Sequence, residues 1–102
     1  MLPFGRVRVM NYKIAFGRVF RQLRVQRGLT QEAFDPAASV RYIRNLEKGE
    51  YSPSLATVRG LCDVLAVSPV TLIALVEAEF INGDPALLIK LAEDELRKRD
   101  SE

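Results

Sequence analysis

From Tyr12 onward the chain sets short apolar stripes between polar turns. Phe16, Val19, Phe20 and Leu23 fall at i, i+3, i+4 and i+7, the spacing of one buried face of an α-helix. Gly28 stands where such a helix usually stops. Thr30 then offers a capping oxygen to a second helix, with Glu32 in its first turn. That helix must be short, because Pro36 lacks an amide hydrogen and pushes Asp35 out of helical geometry. Ser39 is the cap of a third helix carrying Tyr42, Ile43 and Leu46, and Gly49 ends it. The turn Ser52-Pro53-Ser54 leads to a fourth, with a stripe of Leu55, Val58, Leu61, Cys62 and Leu65. Ser68-Pro69 is a cap followed by proline at the first helical position, so a fifth begins there. It carries Val70, Ile73, Ala74 and Phe80 and breaks at Asn82-Gly83. Asp84-Pro85 repeats the signal for a sixth helix running toward Arg99. Only Val7 and Val9 hint at a strand, and nothing else pairs with it.

The pattern predicts an all-α chain in three parts: an N-terminal extension over 1–10, a helical domain over 11–81 and a C-terminal helix over 82–102. A length of 102 residues holds one domain with a modest core. The extension is either an addition outside the fold or a basic arm using Arg6 and Arg8. The N-terminus lacks the apolar run of a signal peptide. The stretch Ala66 to Val76 is well short of the ~20 residues a membrane helix needs. The single cysteine, Cys62, forms no intramolecular disulfide, sits on an apolar stripe as a small hydrophobe and suits a reducing, cytoplasmic setting. With no histidine there is no imidazole base and no common zinc set, and no phosphate-binding glycine loop occurs. The expectation is a chain that is not an enzyme, with no cofactor, no metal and no evident small-molecule ligand.

Charge adds an asymmetry that the net value of +2 hides. Residues 1–50 hold ten basic and four acidic side chains, whereas residues 51–102 hold five and nine. A basic half on a nearly neutral chain fits either a polyanion-binding face or an unevenly charged solvated surface.

The deciding run is Leu23-Arg24, Gly28-Leu29-Thr30-Gln31-Glu32, Tyr42-Ile43, Leu46-Glu47-Lys48-Gly49 and Ser52-Pro53-Ser54-Leu55. It closely resembles the phage-repressor and Cro-like (XRE) family of helix-turn-helix regulators over about residues 14 to 76. The resemblance implies a five-helix lambda-repressor-like domain, here with an additional C-terminal helix. The departure lies at Phe34 to Ser39, where family members usually have two more residues and a glycine; this chain looks like a short-turn variant.

The resemblance makes the third helix the one that enters the major groove of double-stranded DNA. With Ile43 and Leu46 turned to the core, Ser39, Val40, Arg41, Arg44 and Asn45 are the candidate base-edge contacts. Arginine can pair with guanine, asparagine with adenine, and valine can meet a thymine methyl. Thr30, Gln31, Lys48, Tyr51 and Ser52 match positions that touch phosphate. Gln31 also stands in the first turn of the second helix, where free amides and the helix dipole make an anion site for a DNA phosphate, and its family counterpart braces the recognition helix. Arg24 and Glu47 match a partly buried ion pair that ties the first helix to the end of the recognition helix.

The sixth helix has three acid-to-base pairs at i, i+4, namely Glu93–Arg97, Asp94–Lys98 and Glu95–Arg99. Leu87, Leu88, Leu91 and Leu96 give it an apolar side. That side either packs on the domain or joins a second subunit, and the homodimer is favoured, with Ile73, Val76, Phe80, Leu88 and Leu91 at the interface. The functional expectation is a DNA-binding transcription regulator, a repressor on a palindromic operator. Two rivals use the same domain: an antitoxin or restriction-modification controller, and a module that binds protein.

Overall fold

The computed structural model describes residues 10–101. The expectations for residues 1–9, including the Val7–Val9 strand and the arm with Arg6 and Arg8, lie outside the described residues. Met10, the last residue of the expected extension, packs half-buried against the core. The described chain is all helical: α1 (Tyr12–Gln26), a 3-10 turn (Gln31–Phe34), α2 (Val40–Glu47), α3 (Leu55–Leu65), α4 (Pro69–Ile81) and α5 (Pro85–Ser101). No single helix among the described residues is long and apolar enough to cross a membrane.

Local chemistry sets most boundaries. Asn11 Oδ1 accepts from the Ile14 amide at 2.9 Å and starts α1; Gly28, at φ 71°, turns the chain away after it. Ser39 Oγ accepts from the Tyr42 amide at 3.0 Å and Ser54 Oγ from the Thr57 amide at 3.1 Å, which start α2 and α3. Ser68 caps α4 with Pro69 at its first position, and Asp84 Oδ1 accepts from the Ala86 amide at 2.9 Å ahead of α5. Thr30 departs from expectation. Its side chain makes no capping bond, because the segment it precedes is a four-residue 3-10 helix and not an α-helical turn.

The core lies where α1 packs on α2 and α4, with the 3-10 turn and α3 closing it. Phe16, Val19, Phe20 and Leu23 of α1 meet Phe34, Ile43, Leu46, Val58, Leu61, Leu65, Leu72 and Val76. Phe20 and Phe34 stand 5.2 Å apart between ring centres. Cys62 is buried among these residues, and burial pushes its thiol pKa up, so it stays a protonated hydrophobe.

Two expected stripes, one expected interface residue and the expected ion pairs of α5 are corrected. Leu55, expected on the buried face of α3, is 84% exposed; as the first residue of the helix it sits beyond the edge of the core. In α4 the inward residues are Leu72, Val76 and Ala78, whereas Val70 is 67% exposed. This helix is apolar nearly all round, so periodicity does not reveal which side faces in. Val76, expected at a dimer interface, is fully buried within the chain itself. The three i, i+4 pairs of α5 are not formed. Arg97 instead bonds Asp94 at 2.6 Å and Arg99 reaches Asp100 at 3.4 Å, nearer acids for the same cations.

Two backbone positions stand out. Gly17 is buried in the middle of α1, and a Cβ placed on it would lie 2.5 Å from the Leu46 carbonyl oxygen and 2.9 Å from that of Glu47. The end of α2 therefore rests directly on the α1 backbone. Ala66 closes α3 in the left-handed region, at φ 57° and ψ 45°. An L-residue with a Cβ is strained there by ~1–2 kcal/mol, partly offset by the larger entropy glycine loses on folding. Ala66→Gly is expected to stabilise the fold by up to about 1 kcal/mol, read as a rise of a few degrees in melting temperature. An unchanged or lower melting temperature would contradict this.

Candidate nucleic-acid interface

α2 presents two unlike faces. Ile43 and Leu46 are wholly buried, which fixes the rotation of the helix. Arg41 and Arg44 are then exposed on the outer side, with Val40 and Asn45 half-buried beside them. Glu47, the acid of this helix, faces inward with a side chain only 6% exposed. The outer face thus offers two cations, an amide and an apolar group.

Glu47 is the centre of the scaffold behind that face. Arg24 Nε donates to Glu47 Oε2 at 2.6 Å and Arg24 Nη2 donates to Oε1 at 3.1 Å, a two-pronged contact. Gln31 Nε2 donates to the same Oε1 at 3.1 Å. Arg24 Nη1 also donates to the Leu29 carbonyl at 2.9 Å. One cluster therefore joins α1, the turn after it, the 3-10 segment and the end of α2. The hydrogen bonds to Glu47 hold the Arg24 guanidinium above its already high pKa, so Arg24 stays charged.

The remaining expected residues lie in the segments just before and just after α2. Thr30 is exposed at the start of the 3-10 turn with its hydroxyl uncommitted to a cap. Lys48, Tyr51 and Ser52 are exposed after the end of α2. Ser39 is exposed too, but its oxygen already serves the helix cap, which leaves its proton to donate. The four-residue 3-10 turn supplies no strong helix dipole, and the Gln31 side chain is bonded to Glu47. Tyr42 is half-buried with its ring stacked on Tyr51 at 5.2 Å between centres; burial first, then the neighbouring phenol, raises its pKa.

One residue of this surface was not anticipated. Arg21 Nε lies 3.9 Å from Glu47 Oε1, beyond hydrogen-bond reach, and its side chain is 65% exposed. It stands one turn before Arg24 on α1, so the i, i+3 spacing carried the signal.

Residues 15–75 match a family described as a helix-turn-helix domain. The chain belongs to that helix-turn-helix family. Among its relatives is the uncharacterised HTH-type transcriptional regulator y4dJ of Sinorhizobium fredii. It is 35% identical over 66 residues, which cover 63% of this chain and 86% of that protein. The helix-turn-helix match ends inside α4, so α5 and the outer part of α4 lie beyond the shared unit.

Proposed function

We propose that this chain is a sequence-specific DNA-binding transcription regulator of the cytoplasm that works as a homodimer and represses by occupying a palindromic operator. The observation that carries the reading is the outer face of α2, where Arg41 and Arg44 project from a helix held rigid by its buried Ile43 and Leu46. A helix so mounted fits a major groove, and its first two turns carry the groups that read base edges. The name of the Sinorhizobium relative supports the same reading. Repression requires only occupancy, which suits so small a unit.

Selection of bound sites from random DNA tests the reading directly. Arg41→Ala and Arg44→Ala are each expected to lose ~1–3 kcal/mol of discrimination at particular base positions. Gln31→Ala and Lys48→Ala are expected to weaken all sequences alike, with a shallower salt dependence for Lys48→Ala, because phosphate contacts carry no base information. Unchanged site preference in both arginine variants would show that α2 is not the reading helix.

The dimer rests on α5. None of its residues is fully buried, and Leu87, Leu91 and Leu96 are all more than half exposed. Between α4 and α5 runs an apolar groove of about 490 Å³ lined by Val70, Ile73, Ala74, Leu88, Leu91 and Ala92. Phe80, with its ring edge-on to Tyr12, extends the surface. A second copy suits it by charge. Glu93, Asp94 and Glu95 precede Arg97, Lys98 and Arg99, so two antiparallel α5 helices set acids against bases. Truncation after Asn82 is expected to give a folded monomer with much weaker operator binding, read by sedimentation and DNA titration. A truncated chain that stays a tight dimer would move the interface elsewhere, and one that unfolds would make α5 part of the core.

A further inference from the structure

Tyr51 belongs to the loop after Gly49, outside α2, yet both ends of its side chain are tied to that helix. Its ring stacks on Tyr42 at 5.2 Å and 21°. Its hydroxyl accepts a hydrogen bond from Asn45 Nδ2 at 3.3 Å. We propose that Tyr51 is a positioning residue for base recognition, its hydroxyl fixing the orientation of the Asn45 amide on the face of α2 that reads DNA. The inference rests on the DNA-binding reading above.

The chemistry follows from donor and acceptor counts. A carboxamide turned end for end exchanges its donor and its acceptor. Adenine requires one of the two orientations, with the oxygen toward its N6 amino group and one amino hydrogen toward N7. A phenol has one proton and two lone pairs. Beside DNA, that proton goes to a phosphate oxygen, since a charge-assisted bond is about twice as strong as a neutral one. The lone pairs left over then face Asn45 and accept its amino group, as the structure shows. Nδ2 carries a second hydrogen for N7, and Oδ1 is free for N6. Phosphate, phenol, amide and base form a single chain, and contact with the backbone sets the orientation that reads the base. Tyr51 is thereby more than the phosphate contact expected from its sequence position.

Tyr51→Phe removes the hydroxyl and keeps the ring that stacks on Tyr42. Base preference is measured by site selection and titration for the wild-type chain, Tyr51→Phe, Asn45→Ala and the double variant. Both single variants are expected to flatten preference at the same base step. For Tyr51→Phe the loss of discrimination is about 2- to 10-fold, the worth of one neutral hydrogen bond. The double variant is expected to be no flatter there than Asn45→Ala. Tyr51→Phe binding all sequences more weakly with preference intact would reduce Tyr51 to a phosphate contact and overturn the proposal. Single-variant effects that add, or that fall on different steps, would overturn it as well, and so would an Asn45→Ala variant with wild-type preference. A wild-type chain that selects no sequence at all sinks the DNA-binding reading itself, a separate result.

Discussion

Glu47→Ala is expected to destabilise the fold by about 3–5 kcal/mol, a large part of the stability of a domain this size. The cause is what the substitution leaves behind. Arg24, with a side chain only 11% exposed, keeps its charge and loses both bonds to the carboxylate. Gln31 loses its acceptor at the same time. Denaturant unfolding measures the loss, and a cost under about 1 kcal/mol would show that water replaces Glu47 freely. The double variant Arg24→Met/Glu47→Leu sharpens the test. Exchanging both partners of a buried pair for apolar groups is often neutral for stability. It should therefore recover most of the lost stability while leaving α2 without its hydrogen-bonded tether. Stability that returns without operator affinity would show that the pair serves the orientation of the reading helix. If both return together, the cluster is merely structural.

Gly17→Ala is expected to destabilise by about 1–3 kcal/mol, even though alanine is the better helix former by ~1 kcal/mol. The new methyl meets backbone oxygens of Leu46 and Glu47, which have no rotamer by which to move aside. The end of α2 must lift, and the tilt of Arg41 and Arg44 changes with it. Operator affinity should accordingly fall by more than the stability change alone explains at saturating folded protein. Gly60→Ala is the control, because nothing lies within 4 Å of a Cβ there and the residue is also inside a helix. That variant should gain about 0.5–1 kcal/mol. Two alanine variants shifting stability in the same direction would show that helix propensity, and not the approach of α2 to α1, governs Gly17.

The contrast between these two glycines shows where the sequence is readable. Each is a glycine in a helical run, and only the packing of another helix tells them apart. Caps were legible because their cause is local: Ser39, Ser68-Pro69 and Asp84-Pro85 each start the helix their chemistry suggests. The inward side of α1 and α2 was legible because polar residues frame the apolar ones. In α4 that frame is missing, so nothing in its sequence marks Leu72 and Val76 as the inward residues. Thr30 carried the right chemistry for a cap but precedes a turn too tight to use it. At the candidate interface the residue types and their face were visible in sequence. The link between Asn45 and Tyr51 was not, because it joins segments whose distance only the fold defines.

α5 buries none of its seventeen residues completely within the chain itself. A lone helix of that length is marginal in water, and elements with few buried contacts open first. With a second copy as its cover, as proposed, ordering of α5 and pairing of subunits become one equilibrium. The state competent for two half-sites then grows with the square of chain concentration at low abundance. Such a protein meters itself: a modest rise in its own level converts into a steep rise in occupied operator, and dilution at cell growth releases the site without any small-molecule signal.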